Sequence, residues 1–187
     1  MSSSAITKNT FAASLKHLVL SKPYEKISIS DITNDCRMNR QSFYYHFQDK
    51  NELLSWIMYN DLFVYITHGV RFYNWYEKLE AFLKRMENEK EFYSKVLESG
   101  DSIFHDYLYD VMHVMFTFFF DNAVSKEGGT NISTEFFADF YSHGFCGVII
   151  DWAINGMQQT PHEVIQSMKD LALENIKIGE GFKEYLE

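Results

Sequence analysis

Proline is nearly absent from this chain: 187 residues carry two, Pro23 and Pro161, and sustained apolar/polar alternation is also missing. Without alternation there is no signal for half-buried strands, and without interior prolines nothing interrupts long helices. Cysteine is equally scarce. Cys36 and Cys146 stand far apart with no CxxC pair, which excludes a disulfide framework and suits a reducing compartment, the cytoplasm. No stretch approaches the roughly 20 apolar residues of a membrane span; the richest runs, VMFTFFF and FCGVII, stop at Asp121 and Asp151. The opening MSSSAITKNTF lacks the continuous apolar run of a secretory signal, so neither export nor a membrane partner is expected. There is no P-loop, no GxSxG and no GxGxxG after a strand, and the carboxylates are scattered as solvated faces, so no catalytic residues and no cofactor are expected.

What is present is apolar and aromatic. Hydrophobic residues make up 46% and aromatics 17%, ample for a folded core and too much for a disordered chain. The net charge of −9 is unevenly placed. Residues 1–50 carry seven Lys/Arg against four Asp/Glu, a net +3, and residues 51–187 carry ten against twenty-two, a net −12. A basic amino-terminal part on an acidic body is the footprint of one region that meets a polyanion and another that does not.

Apolar residues recur at helical spacing almost throughout, which predicts an all-α protein of about nine helices. A first helix carries Phe11, Leu15 and Leu18 on one face and stops at Pro23. Ser28 followed three residues later by Asp31 resembles a capping box, and Ile29, Ile32 and Cys36 line one face of a short second helix. A corner from Cys36 to Met38 follows, and Asn39 caps a third helix. Its periodicity puts Gln41, Tyr44 and Tyr45 on one arc and Phe43 and Phe47 on the other. Two short helices joined by a tight corner, the second offering long hydrogen-bonding side chains, describe a helix-turn-helix. Arg40 and Gln41 are residue types that pair with guanine and adenine edges, Ser42 and the tyrosines suit phosphate or a thymine methyl, and Lys50 suits the DNA backbone. The same arc also reads as an ordinary solvated face.

The span ISISDITNDCRMNRQSFYYHFQDKNELLSWI, Ile27 to Ile57, resembles the DNA-binding domain of TetR-type transcriptional regulators. In that family the recognition helix ends in a Phe/Leu-Tyr-x-His/Tyr-Phe run, followed by a short polar link and Glu-Leu-Leu. The RQSFYYHF and LLSWI segments and GFCGVIIDWAINGMQQTPHEV resemble the branch containing activators of dihydroxyacetone kinase operons. The resemblance implies a three-helix head over residues 1–48 and a helical effector-binding and dimerisation body over 49–187. It further implies a homodimer joined by the last two long helices, binding double-stranded operator DNA. DNA contacts carried over to this chain are Ser28, Ser30, Asn39, Arg40, Gln41, Ser42, Tyr44, Tyr45, His46 and Lys50. Arg37 departs from the pattern by standing where much of the family has glycine. Either the turn avoids the left-handed conformation or it carries a strain of about 1 kcal/mol, and Arg37 itself offers a further phosphate contact.

Beyond the head, helices are predicted near 49–69, 74–88, 90–98, 102–125, 133–157 and 161–185, with loops at KEGGTN and QQTPHE. Thr160, Pro161 and Glu163 form a helix start, with Thr as cap and Pro in the first turn. Gly144 and Gly147, flanking Cys146, permit close approach of another helix, which the resemblance places on a second subunit. Aromatics crowd the body, and Phe63, Phe92, His105, Tyr107, Met112 and Phe116 are the candidate lining of an effector pocket, although each also suits a core. In the resembled branch the signal arrives through a coactivator protein, so the acidic body also suits protein docking. Asp139, His143 and Cys146 lie at i, i+4, i+7 with identities zinc accepts, and Asp106, Asp110 and His113 repeat the spacing. Each trio comes from one helix, and a packed thiol with a half-buried histidine is the preferred reading over a metal site.

Overall fold

The computed structural model describes residues 3–71, 73–99, 102–123, 133–171 and 174, and among these every regular element is helical. Helix α1 (Ser3–Ser21) buries Phe11, Ala12, Leu15 and Val19 along one face, and its buried Ser14 hydroxyl donates to the Ile32 carbonyl at 2.9 Å. A 3₁₀ turn (Tyr24–Lys26) follows Pro23. Helix α2 (Ile29–Asp35) starts with the expected capping box: the Asp31 amide donates to Ser28 Oγ at 3.1 Å while the Asp31 carboxylate accepts from the Ser28 amide at 2.7 Å.

The corner after α2 is a Schellman turn. The Arg37 amide donates to the Asn34 carbonyl at 3.2 Å and the Met38 amide to the Thr33 carbonyl at 2.8 Å, with Arg37 at φ +54°. A glycine would reach that conformation without strain, so arginine holds it against the local cost. Helix α3 (Arg40–His46) is capped by Asn39, whose side-chain oxygen accepts from the Ser42 amide at 2.6 Å. Phe43 and Phe47 are buried, Phe43 meeting Phe11 edge-on at 5.2 Å. A Phe seated this way typically contributes about 2–3 kcal/mol of burial. The oily side of α3 is therefore its anchor on α1.

Helix α4 (Lys50–Met58), capped by Asp49, runs through a π turn (Tyr59–Phe63) into the short α5 (Val64–Thr67). The uninterrupted helix predicted over 49–69 is thus divided. The wider turn lets the adjacent Leu62 and Phe63 both point inward, continuing the buried row of Leu54, Met58 and Ile66. Phe63 sits among Tyr107 at 4.3 Å, Phe82 at 5.4 Å and Phe104 at 5.9 Å.

Helices α6 (Trp75–Asn88), α7 (Lys90–Glu98), α8 (Ile103–Ala123) and α9 (Thr134–Ile154) match the predicted positions closely. The ring pairs Phe120–Phe137 at 4.5 Å, Phe116–Tyr141 at 5.5 Å and Tyr109–His143 at 4.8 Å show α8 and α9 running antiparallel. α9 stops earlier than predicted because Gly156 (φ +79°) and Met157 (φ +48°) close a second Schellman turn onto Ala153 and Trp152. Helix α10 (residues 161–171) starts as expected, with the Thr160 hydroxyl and amide both donating to Glu163 at 2.8 Å. The KEGGTN loop and the carboxy-terminal part of the helix predicted to 185 lie outside the described residues. One continuous buried cluster runs from Phe11 through Phe63 and Leu108 to Met168. Among the described residues no helix is long and apolar enough to cross a membrane.

Candidate nucleic-acid interface

With Phe43 and Phe47 held inside, α3 turns Arg40, Gln41, Tyr44 and Tyr45 to solvent, and Tyr45 is 84% exposed. Arg40 is not a loose side chain: its guanidinium donates to the Tyr44 hydroxyl at 3.1 Å and lies 5.8 Å from that ring. This i,i+4 pairing stiffens the planar donor fork that suits a guanine edge. The His46 ring meets Tyr45 edge-on at 4.9 Å and is half-buried, as is Ser42. The structure thus gathers Arg40, Gln41, Tyr44 and Tyr45 on one polar, aromatic surface, with exposed Arg37 at the corner before it.

Other candidates serve the framework. The Ser28 hydroxyl accepts from the Asp31 amide and donates to its carboxylate at 2.8 Å, and Ser30 is half-buried with its carbonyl accepting from Thr33. Asn39 uses its oxygen as a cap, leaving its amide NH₂ at the exposed end of α3. Asp31 also accepts from Lys22 at 2.7 Å, and this bond with the Ser28 amide holds its carboxyl far below the usual range. Lys50 is the clear departure. Its ammonium donates to the carbonyls of Tyr24 at 2.8 Å and of Glu25 and Ile27 at 3.1 Å, 4.4 Å from the Tyr24 ring. Three donors meet three carbonyls, so Lys50 clasps the 3₁₀ turn onto α4 instead of reaching outward to a phosphate.

Two contributors escape sequence reasoning. Lys8 brings a cation to 5.4 Å from the Phe47 ring, and the Tyr24 hydroxyl donates to Asn51 at 2.6 Å. Both contacts link residues far apart in the chain, where no local pattern marks them.

In the body, the Phe63 and Tyr107 rings of the six candidate pocket residues meet at 4.3 Å, while the others are spread through the core and the outer side of α8. Phe63, Phe92, Met112 and Phe116 are core residues, and His105 pairs with Asp106 at 3.2 Å on the outer side of α8. Tyr107 lines a cleft of about 510 Å³ between the α5 end and α8. Its walls are Ile66, Val70, Val111, Val114, Met115 and Phe118, with Arg71 and Asp110 as charged groups. Rings facing the centre of a helix layer fill it, which accounts for the burial of Phe63, Phe92, Met112 and Phe116.

The two trios are also split. Asp139 accepts from the Tyr109 hydroxyl at 2.6 Å and lies 3.2 Å from His113 Nε2, while His143 packs on the Tyr109 ring. The Asp139 bond pushes the Tyr109 phenol up to about 12. Cys146 is fully buried, and burial pushes its thiol up to about 12. Among the described residues no three His, Cys, Asp or Glu side chains are placed to hold a metal ion.

α9 shows a third surface. Phe136, Phe140, Val148 and Ile154 are exposed, and a Cβ added at Gly144 or Gly147 would meet nothing within 4 Å.

Known proteins agree with this arrangement. The family model described as "Bacterial regulatory proteins, tetR family" matches residues 16–56, and "Transcriptional regulator C-terminal region" matches residues 73–174. The chain is 28% identical over 182 residues to the HTH-type dhaKLM operon transcriptional activator DhaS of Lactococcus lactis subsp. lactis, covering 97% of this chain and 96% of that one. A solved structure titled "Dihydroxyacetone kinase operon activator DhaS" superposes with a TM-score of 0.69 at 28% identity, covering 93% of this chain and 98% of the other. A transcriptional regulator from Aquifex aeolicus, 18% identical, shares the fold at a TM-score of 0.60, over 88% of this chain and 99% of its own. With its capped corner, its outward-facing third helix and family models matching residues 16–56 and 73–174, the chain belongs to the TetR family of bacterial transcriptional regulators.

Proposed function

We propose that the protein acts as a homodimer that binds operator DNA through residues 1–48 and controls dihydroxyacetone kinase or related metabolic genes. The observation that carries this reading is the outward arc of α3, where Arg40, pre-oriented by Tyr44, stands beside Gln41 and Tyr45. Arg40 and Gln41 read base edges in the major groove; Arg37, Ser42, Tyr44, Tyr45 and His46 reach the backbone or neighbouring bases. Residues 49–187 form the body, and the exposed apolar stripe of α9, with α10, pairs with its counterpart on a second copy. That pairing holds two reading heads on successive major grooves, about 34 Å apart. The similarity to an operon activator favours activation over repression.

Signals reach the body at the α5–α8 cleft, whose apolar walls suit a small molecule. A second reading, docking of a coactivator protein at the same place, is favoured by Val114 at its lip, which is 70% exposed.

The test is selection of duplexes from a genomic fragment library by the purified protein at stated salt with competitor DNA. An enriched inverted repeat is expected. A folded dimer that enriches no sequence would overturn the reading.

A further inference from the structure

Between the head and the body lies a group of charges with no part in either proposed contact surface. Lys16 of α1 donates to Asp61 in the π turn and to Glu89 at the junction of α6 and α7. Arg85 of α6 donates to Glu89 at 2.8 Å and lies 3.9 Å from Asp61. Two cations thus meet two carboxylates, and the group is neutral as a unit. It is also well enclosed: the Lys16, Asp61 and Glu89 side chains are 24%, 20% and 21% exposed. Tyr93 beside them is wholly buried, and burial with the nearby Asp61 and Glu89 carboxylates pushes its phenol far above the ordinary value. In such a half-buried seam an ion pair is screened less than on the open surface, and losing one member leaves its partner's charge uncompensated.

The placement of these charges is what matters. Lys16 lies one helical turn from Ala12 and directly follows Leu15, both of which anchor α1 in the core, and its ammonium is turned toward the body, 5.6 Å from the Phe92 ring. Lys95 of α7 donates to the Leu20 carbonyl at the end of α1, a second tie along the same seam. The body's connection to the head along the chain passes through α4, and Asp61 sits in the π turn at its end. π turns within helices are frequent at functional positions because the wider turn re-aims a side chain; this one presents Asp61 to α1.

Building on the dimeric DNA-binding reading, we infer that Lys16, Asp61 and Glu89 are positioning residues: they form a latch that sets the angle of the reading head on the body. The latch touches no DNA. It determines whether two heads fit two grooves at once, and a signal that moves α5 reaches Asp61 through the continuous π turn.

The experiment compares binding to the selected duplex carrying paired half-sites with binding to one half-site alone. Lys16→Met is expected to lower the preference for paired sites about tenfold while single-site affinity stays at the wild-type level. Asp61→Asn should give the same loss, Lys16→Arg should restore the wild-type preference, and Lys16→Met/Asp61→Asn should be no worse than either alone. Asp61→Asn carries the test where Lys16→Met does not fold. A folded, dimeric Lys16→Met or Asp61→Asn variant that keeps the full preference overturns the latch.

A readout without DNA separates this inference from the reading beneath it. Native-state hydrogen exchange should show faster exchange in α1 of Lys16→Met with α8 and α9 unchanged; identical exchange in α1 overturns the latch even if no duplex is ever selected. Wild-type protein that selects no duplex, with α1 exchange raised in the variant, overturns DNA binding and leaves the latch standing.

Discussion

The outward arcs of α3 and α9 are both rich in aromatic side chains, yet they are built for opposite neighbours. On α3 every exposed ring is a tyrosine, and the residues that share their arc are Arg40 and Gln41. On α9 the exposed rings are Phe136 and Phe140, with Val148, Ile154 and two glycines continuing the stripe. Exposure alone therefore does not describe a surface. A tyrosine offers ring area together with a hydroxyl that remains satisfied in a wet, charged groove. A phenylalanine at 65% exposure, as at Phe140, gains only when another apolar surface covers it.

The comparison is broken most severely from beneath. Phe43→Ala removes the fully buried ring that seats α3 on Phe11 and should destabilise the protein by about 3–5 kcal/mol, read as a lowered denaturant midpoint. If the midpoint holds, the reading arc does not depend on its oily side. Next in size is Phe140→Asp, which places a charge within the apolar stripe. Burying it unpaired across the proposed dimer costs several kcal/mol, so sedimentation should show a folded monomer in place of that dimer. A variant that remains dimeric would move the interface off this arc.

Arg40→Ala should weaken binding to the selected duplex by about 1–3 kcal/mol and leave the sedimentation behaviour of the wild type untouched. Together with Phe140→Asp it makes a double dissociation, and equal operator affinity would remove Arg40 from the reading arc. The smallest effect concerns the corner. Arg37→Gly relieves a left-handed residue and should raise the thermal midpoint by an amount equivalent to about 1 kcal/mol or less, offset by the greater freedom of glycine in the unfolded chain. If Arg37 touches a phosphate, the same variant should also flatten the salt dependence of DNA binding by about one counterion.

The helices were legible because their signals are local. Ser28–Asp31, Asn39 and Thr160–Glu163 each announce a cap within four residues, and the structure shows all three bonded. The two faces of α3 followed from periodicity in the same way. Lys50 was misread for the opposite reason: nothing near it in sequence reveals that three carbonyls some 23 to 26 residues earlier return to surround its ammonium. The packing of the candidate pocket residues was illegible for the same reason, since residue type does not distinguish a ring that lines a cleft from one that fills a layer.

By itself the sequence determined the all-helical class, the capped corner, the two faces of α3 and the resemblance to TetR regulators, because hydrogen-bonded caps and 3.6-residue periodicity act between neighbours. The tertiary structure alone decided the π turn, the cleft beside α8, the pairing of Asp139 with Tyr109 and His113, and the meeting of Lys16 with Asp61 and Glu89. Those depend on how separate helices pack, and a side chain's partner across a packed interface is set by the shape of the whole core.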